Sequence, residues 1–150
     1  MGTAGRKELE RLDAVFVQNG AAFSAHDDEI SLHGLADATI YFTNRPRREA
    51  GHIPSHRFLE LWNDGDESFA ADPPHAVISF LDDEPDAPGD VTVILREPSL
   101  TGHQLTYKVD VLTGKLPLLG GPCSLFIDAF GSSMAPVSAA ATRRQPRRPA

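Results

Sequence analysis

A chain of 150 residues with 41% hydrophobic and 23% charged side chains has the composition of one globular domain, able to bury roughly two-thirds of its unfolded surface. Its formal charge of −7 speaks against nucleic-acid binding by the body, because such binding works by neutralising phosphates. A single cysteine, Cys123, excludes an internal disulfide and a Cys-rich zinc site.

In chain order, residues 1–13 (MGTAGRKELERLD) carry helix formers and predict a short helical extension. They lack the apolar stretch and small-residue cleavage site of a secretory leader. No window is apolar enough to predict a transmembrane segment, so a cytoplasmic protein is expected. Residues 14–18 (AVFVQ) are β-prone, and Asn19-Gly20 is a strong hairpin signal, since both residues tolerate positive φ. That predicts a return strand over 21–25. After the acidic turn His26-Asp27-Asp28, residues 29–34 alternate, with Ile30 and Leu32 on one face and Ser31 and His33 on the other, the pattern of a half-buried strand. Residues 38–43 (ATIYFT), β-branched and aromatic, read as a central strand.

A long excursion then runs over 44–75. Pro46 has no amide donor and restricts Arg45, so the stretch 44–48 cannot be regular strand. Ser55 is placed to cap a helix of about two turns ending at Trp62, with Phe58, Leu59, Leu61 and Trp62 on one side. Such a helix must lie on something, so it is expected to close one end or face of a sheet. Further strands are predicted over 76–81, 91–96, 105–112 and 124–130, with an acidic loop at 82–90 and an irregular stretch at 115–122. The expected architecture is mostly β: an antiparallel β-sandwich or β-barrel over residues 14–136, with one short helix in a long crossover. Residues 137–150 end in RRQPRRPA and predict a disordered basic tail. Removing its four Arg lowers the charge of the remainder from −7 to −11.

The run YFTNRPRREAGH, then Phe58, Trp62, Gly65, Ser68-Phe69 and Asp72-Pro73-Pro74, then SLFIDAF, resembles a group of short bacterial proteins with no assigned function. The likeness covers about residues 14–138. It implies common descent and a shared fold, and it carries no chemistry across.

The excursion concentrates the unusual side chains. Between Tyr41 and His75 lie the only Trp, three of the six His and four of the eleven Arg. Arg45, Arg47 and Arg48 suit a bidentate site for carboxylate or phosphate, and one of them is expected instead to pin the excursion to an acidic neighbour such as Asp72. His52 and His56 have the H-x-x-x-H spacing of metal ligands, but His52 precedes Pro54 and so lies ahead of the helix. No cofactor is predicted; a divalent metal at this pair is the one candidate. The acidic clusters 27–29, 64–67 and 82–84 lack a complete calcium-loop spacing and read as solvated turns. Cys123 reads as a small buried hydrophobe.

These features favour a non-catalytic binding module, with Arg45, Arg48, His52 and Trp62 arranged around a cleft for a small anionic ligand or a protein partner. The alternative is a small β-barrel enzyme, a cyclase, isomerase or hydrolase, with His52 or His56 as its acid-base group. A third reading is a homodimer formed through an uncovered edge strand.

Overall fold

The computed structural model describes residues 14–43, 47–62, 69–82 and 84–128. The expected N-terminal helix, the basic tail and Arg45 lie outside the described residues. Among the described residues the strands are β1 (Ala14–Gly20), β2 (Ala22–His26), β3 (Glu29–His33), β4 (Ala38–Thr43), β5 (Glu49–Pro54), β6 (His75–Phe80), β7 (Val91–Thr101), β8 (Gln104–Thr113), β9 (Leu119–Gly120) and β10 (Cys123–Asp128). One helix, α1 (Ser55–Trp62), follows β5 directly.

All ten strands join one antiparallel sheet in the order β5-β4-β1-β10-β6-β7-β8-β3-β2-β9. Its ends, β5 and β9, do not pair with each other, so the sheet is open rather than a closed barrel. It curls so that its two halves share one core. Phe23 of β2 meets Phe80 of β6 edge-on with ring centroids 5.0 Å apart, although β7, β8 and β3 lie between β6 and β2 in the sheet.

The predicted Asn19-Gly20 hairpin does not form. Asn19 and Gly20 belong to β1, opposite Ser124 and Cys123 of β10, while β2 pairs with β3 and β9. The reason lies at Gly20, where a Cβ would sit 3.1 Å from the Leu32 Cβ. Glycine lets β1 and β3 approach closely where the chain crosses from one half of the sheet to the other. The true hairpin turn is the acidic one, with Asp27 at a φ of 56°. The strand at 38–43 is next to the sheet edge rather than central. The excursion also contains β5, a strand for which the sequence EAGHIP offers no alternating pattern.

The helix forms where Ser55 predicted it. Phe58 and Trp62 are 0% and 2% exposed, with Leu61 buried beside them. Phe58 packs on Phe16 at 5.0 Å, and Trp62 packs on Phe69 at 5.2 Å and on Tyr107 of β8 at 5.7 Å. This aromatic cluster makes α1 a lid on the core. Truncating Phe58 or Trp62 to Ala would cost about 3–5 kcal/mol.

A chain of polar groups crosses the same interior. Tyr107 Oη donates to Gln18 Oε1 at 2.7 Å, and Gln18 Nε2 donates to Thr39 Oγ1 at 3.3 Å. Thr39 and Ser55 hydroxyls are 2.8 Å apart, and Ser55 Oγ donates to the Ala36 carbonyl at 3.0 Å. Because the Ser55 proton serves Ala36, Thr39 is the donor to Ser55, and all the donors run in one direction. Gln18, Thr39 and Tyr107 are fully buried and Ser55 nearly so. A buried network of this kind stabilises only when every member is satisfied. Tyr107→Phe, which leaves Gln18 Oε1 buried without its donor, should lower stability by about 1–3 kcal/mol. Urea unfolding of the two proteins measures this, and an unchanged midpoint would show the chain to be energetically idle.

Candidate functional site

The long strand register defines what faces outward. Across β5, β4, β1, β10, β6 and β7 one outward row reads Ala50, Phe42, Val15, Asp128, His75 and Ile94. The next row reads His52, Ile40, Val17, Phe126, Val77 and Thr92. Phe42 is 51% and Phe126 38% exposed, and Val15, Ile40, Val77 and Ile94 are half-buried around them. The rows form an apolar patch on the order of a few hundred Å², the size at which a surface patch is commonly functional.

The other half of the outer surface has a different chemistry. There Ser24 Oγ meets His33 Nε2 at 2.8 Å, and Ser31 and Thr106 hydroxyls are 2.9 Å apart. Lys108 pairs with Glu29 at 3.6 Å and Arg96 with Asp110 at 2.8 Å. These are cross-strand pairs of a solvated sheet face. The Ser24–His33 contact has the elements of a nucleophile and base, but it lies in this polar ladder on the outer face of β2 and β3. Two such residues across a hairpin are ordinary cross-strand partners.

The residues predicted from sequence are dispersed. His52 stands on the outer face of β5, exposed at the end of the second apolar row. Arg48 is exposed just before that strand. Trp62, in contrast, is in the core between Phe58, Phe69 and Tyr107, on the opposite side of the sheet from His52. No common cleft therefore gathers Arg48, His52 and Trp62. Arg47 pairs with Glu49, two residues on, at 3.0 Å, a local exposed pair and not the tie to Asp72 expected of one Arg. His56 is exposed in the first turn of α1. Among the described residues no group of three or more His, Cys, Asp or Glu is placed to hold a metal. His75 Nδ1 is buried without a hydrogen-bond partner there, within the first apolar row.

Phe42 and Phe126 were missed as surface residues because their strands are apolar on consecutive positions: Ile40-Tyr41-Phe42 in β4 and Leu125-Phe126-Ile127 in β10. Continuous apolar runs belong to strands covered on both faces. Here the inner face meets the core and the described residues leave the outer face open. That signal was present in the sequence, but only the register showed which face it concerned.

Among the described residues, β5 has no neighbouring strand on its outer edge. The Ser55 amide donates to the Asp37 carbonyl at 2.7 Å, directly opposite it in register beyond the Ala38–Pro54 pair. Hydrogen-bonded and non-bonded pairs alternate along an antiparallel ladder, so Ile53, Gly51 and Glu49 bond to β4. Ala50 and His52 therefore direct both amide and carbonyl away from the sheet, and Pro54 its carbonyl.

No family model, curated protein or solved structure matches this chain. No helix among the described residues is long and apolar enough to cross a membrane.

Two buried acids govern the response to alkali. Burial pushes the Cys123 thiol from 9.0 up to about 11, against a smaller opposing effect of the Gly20 backbone. Burial likewise drives the Tyr107 phenol well above its ordinary 10.0, with the Gln18 hydrogen bond opposing. The native protein holds both protons at a pH where the unfolded chain releases them. Their contribution is complete below about pH 9 and is lost as pH rises through the shifted values. Urea midpoints should fall between pH 8 and pH 10.5, and Cys123→Ala should flatten that decline; a pH-independent midpoint would contradict it.

Proposed function

We propose that this chain is a non-catalytic interaction module that binds a protein partner on the outer face of β4, β1, β10 and β6. One observation carries the reading. Strands whose sequences are apolar on both sides present Phe42 and Phe126 to the outside, while the opposite half of the surface is satisfied by its own polar pairs. Interaction sites are marked by contiguous apolar surface of this kind, not by single exposed hydrophobic residues.

The position of the histidines supports binding over His-based catalysis. His52 and His56 are exposed, whereas general acid-base work requires a proton-transfer group held against substrate. The core is occupied by the aromatic cluster and the Tyr107–Gln18–Thr39–Ser55 chain.

Selection of displayed random peptides on the intact chain, followed by backbone NMR mapping of a selected binder, tests the reading. Signals of Val15, Ile40, Phe42, Phe126 and Val77 should move. Phe42→Asp combined with Phe126→Asp should weaken binding by about tenfold or more, with the fold kept, since exposed substitutions shift stability by about 1 kcal/mol or less. Binders that map to the Ser24 and His33 face, or that ignore the two substitutions, would overturn it. So would a shift of these same signals on deleting residues 129–150 alone, which would make the chain its own partner.

A further inference from the structure

We infer that Asn19-Gly20 is a site of spontaneous covalent modification that the fold keeps shut. The pair deamidates when β1 unfolds, and the main product cannot rejoin the sheet. Asn19 is the only asparagine of the chain followed by glycine; Asn44 precedes Arg45, and Asn63 precedes Asp64. The reaction needs no co-reactant but water. The Gly20 amide nitrogen attacks Cγ of Asn19, the Cγ–Nδ2 bond breaks, and Nδ2 leaves as ammonia, taking up the amide proton. Water then opens the cyclic imide at either carbonyl. One opening leaves aspartate, and the other leaves isoaspartate, whose main chain runs through Cβ and Cγ. Glycine favours the first step because no Cβ shields its nitrogen and its backbone bends freely.

The fold withholds the geometry of that attack. The Gly20 nitrogen must turn onto the Asn19 side chain, whereas a strand holds its backbone extended. The Asn19 carbonyl accepts from the Ala36 amide at 2.9 Å, on the β4 side. Successive strand residues direct their backbone groups to opposite sides, so the Gly20 amide faces β10 and its register partner Cys123. The side chain of Asn19 is held as well. Ser124 Oγ donates to its Oδ1 at 2.5 Å, across the register pair that these residues form. Gly20 is itself buried, under Leu32.

The two products differ in what they do to β1. Aspartate at position 19 leaves the main chain intact and offers Ser124 a carboxylate oxygen in place of the amide oxygen. Isoaspartate inserts a methylene into the main chain ahead of Gly20. That moves Gly20 away from Cys123 and from its close approach to Leu32, where the chain crosses between the halves of the sheet. The insertion also adjoins Gln18, a buried link of the polar chain between Tyr107 and Thr39. Each unfolding episode therefore converts a fraction of the chains, and the isoaspartate fraction stays out of the native state.

Incubating the full chain at mildly alkaline pH, with and without denaturing urea, and mapping its peptides by mass spectrometry tests this. Position 19 should deamidate about a hundredfold or more faster in urea, because the native protein opens a core strand rarely. In urea it should also react ahead of Asn44 and Asn63. Once the urea is diluted out, isoaspartate at position 19 should collect in the chains that fail to refold. Asparagine and aspartate there should populate the refolded fraction. Asn19→Gln, whose longer side chain closes the imide far more slowly, should preserve the refolding yield over the same incubation. Comparable rates with and without urea, or isoaspartate equally abundant in the refolded fraction, overturns the inference. So does a yield that falls as fast in Asn19→Gln, which would place the damage at Asp64-Gly65 instead. Should Asn19→Gln not fold, the rates and the partition of the unaltered chain decide the matter by themselves.

Discussion

The hydrogen-bonded chain from Tyr107 through Gln18 and Thr39 to Ser55 is the constraint on which the architecture rests. It links β8, β1, β4 and the start of α1, elements up to 89 residues apart in sequence. Hydrophobic burial is non-directional, so the aromatic cluster alone would accept several placements of the helix. A polar chain with one proton per link accepts few, because each wrong arrangement strands a buried donor or acceptor. Ser55 is its last member and the residue that follows β5. Fixing Ser55 against Thr39 and Ala36 therefore fixes the corner between strand and helix, and with it the course of the sheet edge.

That corner separates two environments. Inward, α1 delivers Phe58 and Trp62 to the core. Outward, β5 delivers Ala50 and His52 to the rim of an apolar face that extends through Phe42 and Phe126. The opposite half of the outer surface is closed by Ser24–His33, Ser31–Thr106 and Lys108–Glu29 pairs. A sheet whose one outer half satisfies its own side chains and whose other half does not is asymmetric by construction. The apolar half also borders the edge along which Ala50 and His52 direct their amides away from β4.

The errors of the sequence reading have specific causes. Asn19-Gly20 carries the composition of a type I′ turn, yet its glycine serves a close approach to Leu32 from another strand, which no local signal records. β5 reads EAGHIP, with Gly, Pro and Ala where strands favour β-branched residues. Edge strands carry such sequences because one side of the ladder is unused. Trp62 was grouped with His52 because they are near in sequence, but a strand-to-helix corner between them sends one inward and the other outward. Of the predicted candidate residues, His52 stands on the outer face and Arg48 precedes its strand.

Local chemistry was enough to determine the class of the fold, the helix from Ser55 to Trp62, the acidic turn at Asp27-Asp28 and the alternation that buries Ile30, Leu32, Leu105, Tyr107 and Val109. Each depends on neighbours within a few positions, where propensity, capping and periodicity act. Strand order, the openness of the sheet and the identity of the exposed aromatic face were decided by tertiary structure. They depend on which distant strands pair: the last described strand, β10, enters between β1 and β6, and its register turns Leu125 and Ile127 inward and Phe126 outward. A pattern apolar on both sides shows that two covers are needed, but only the folded register shows which side the described residues leave without one.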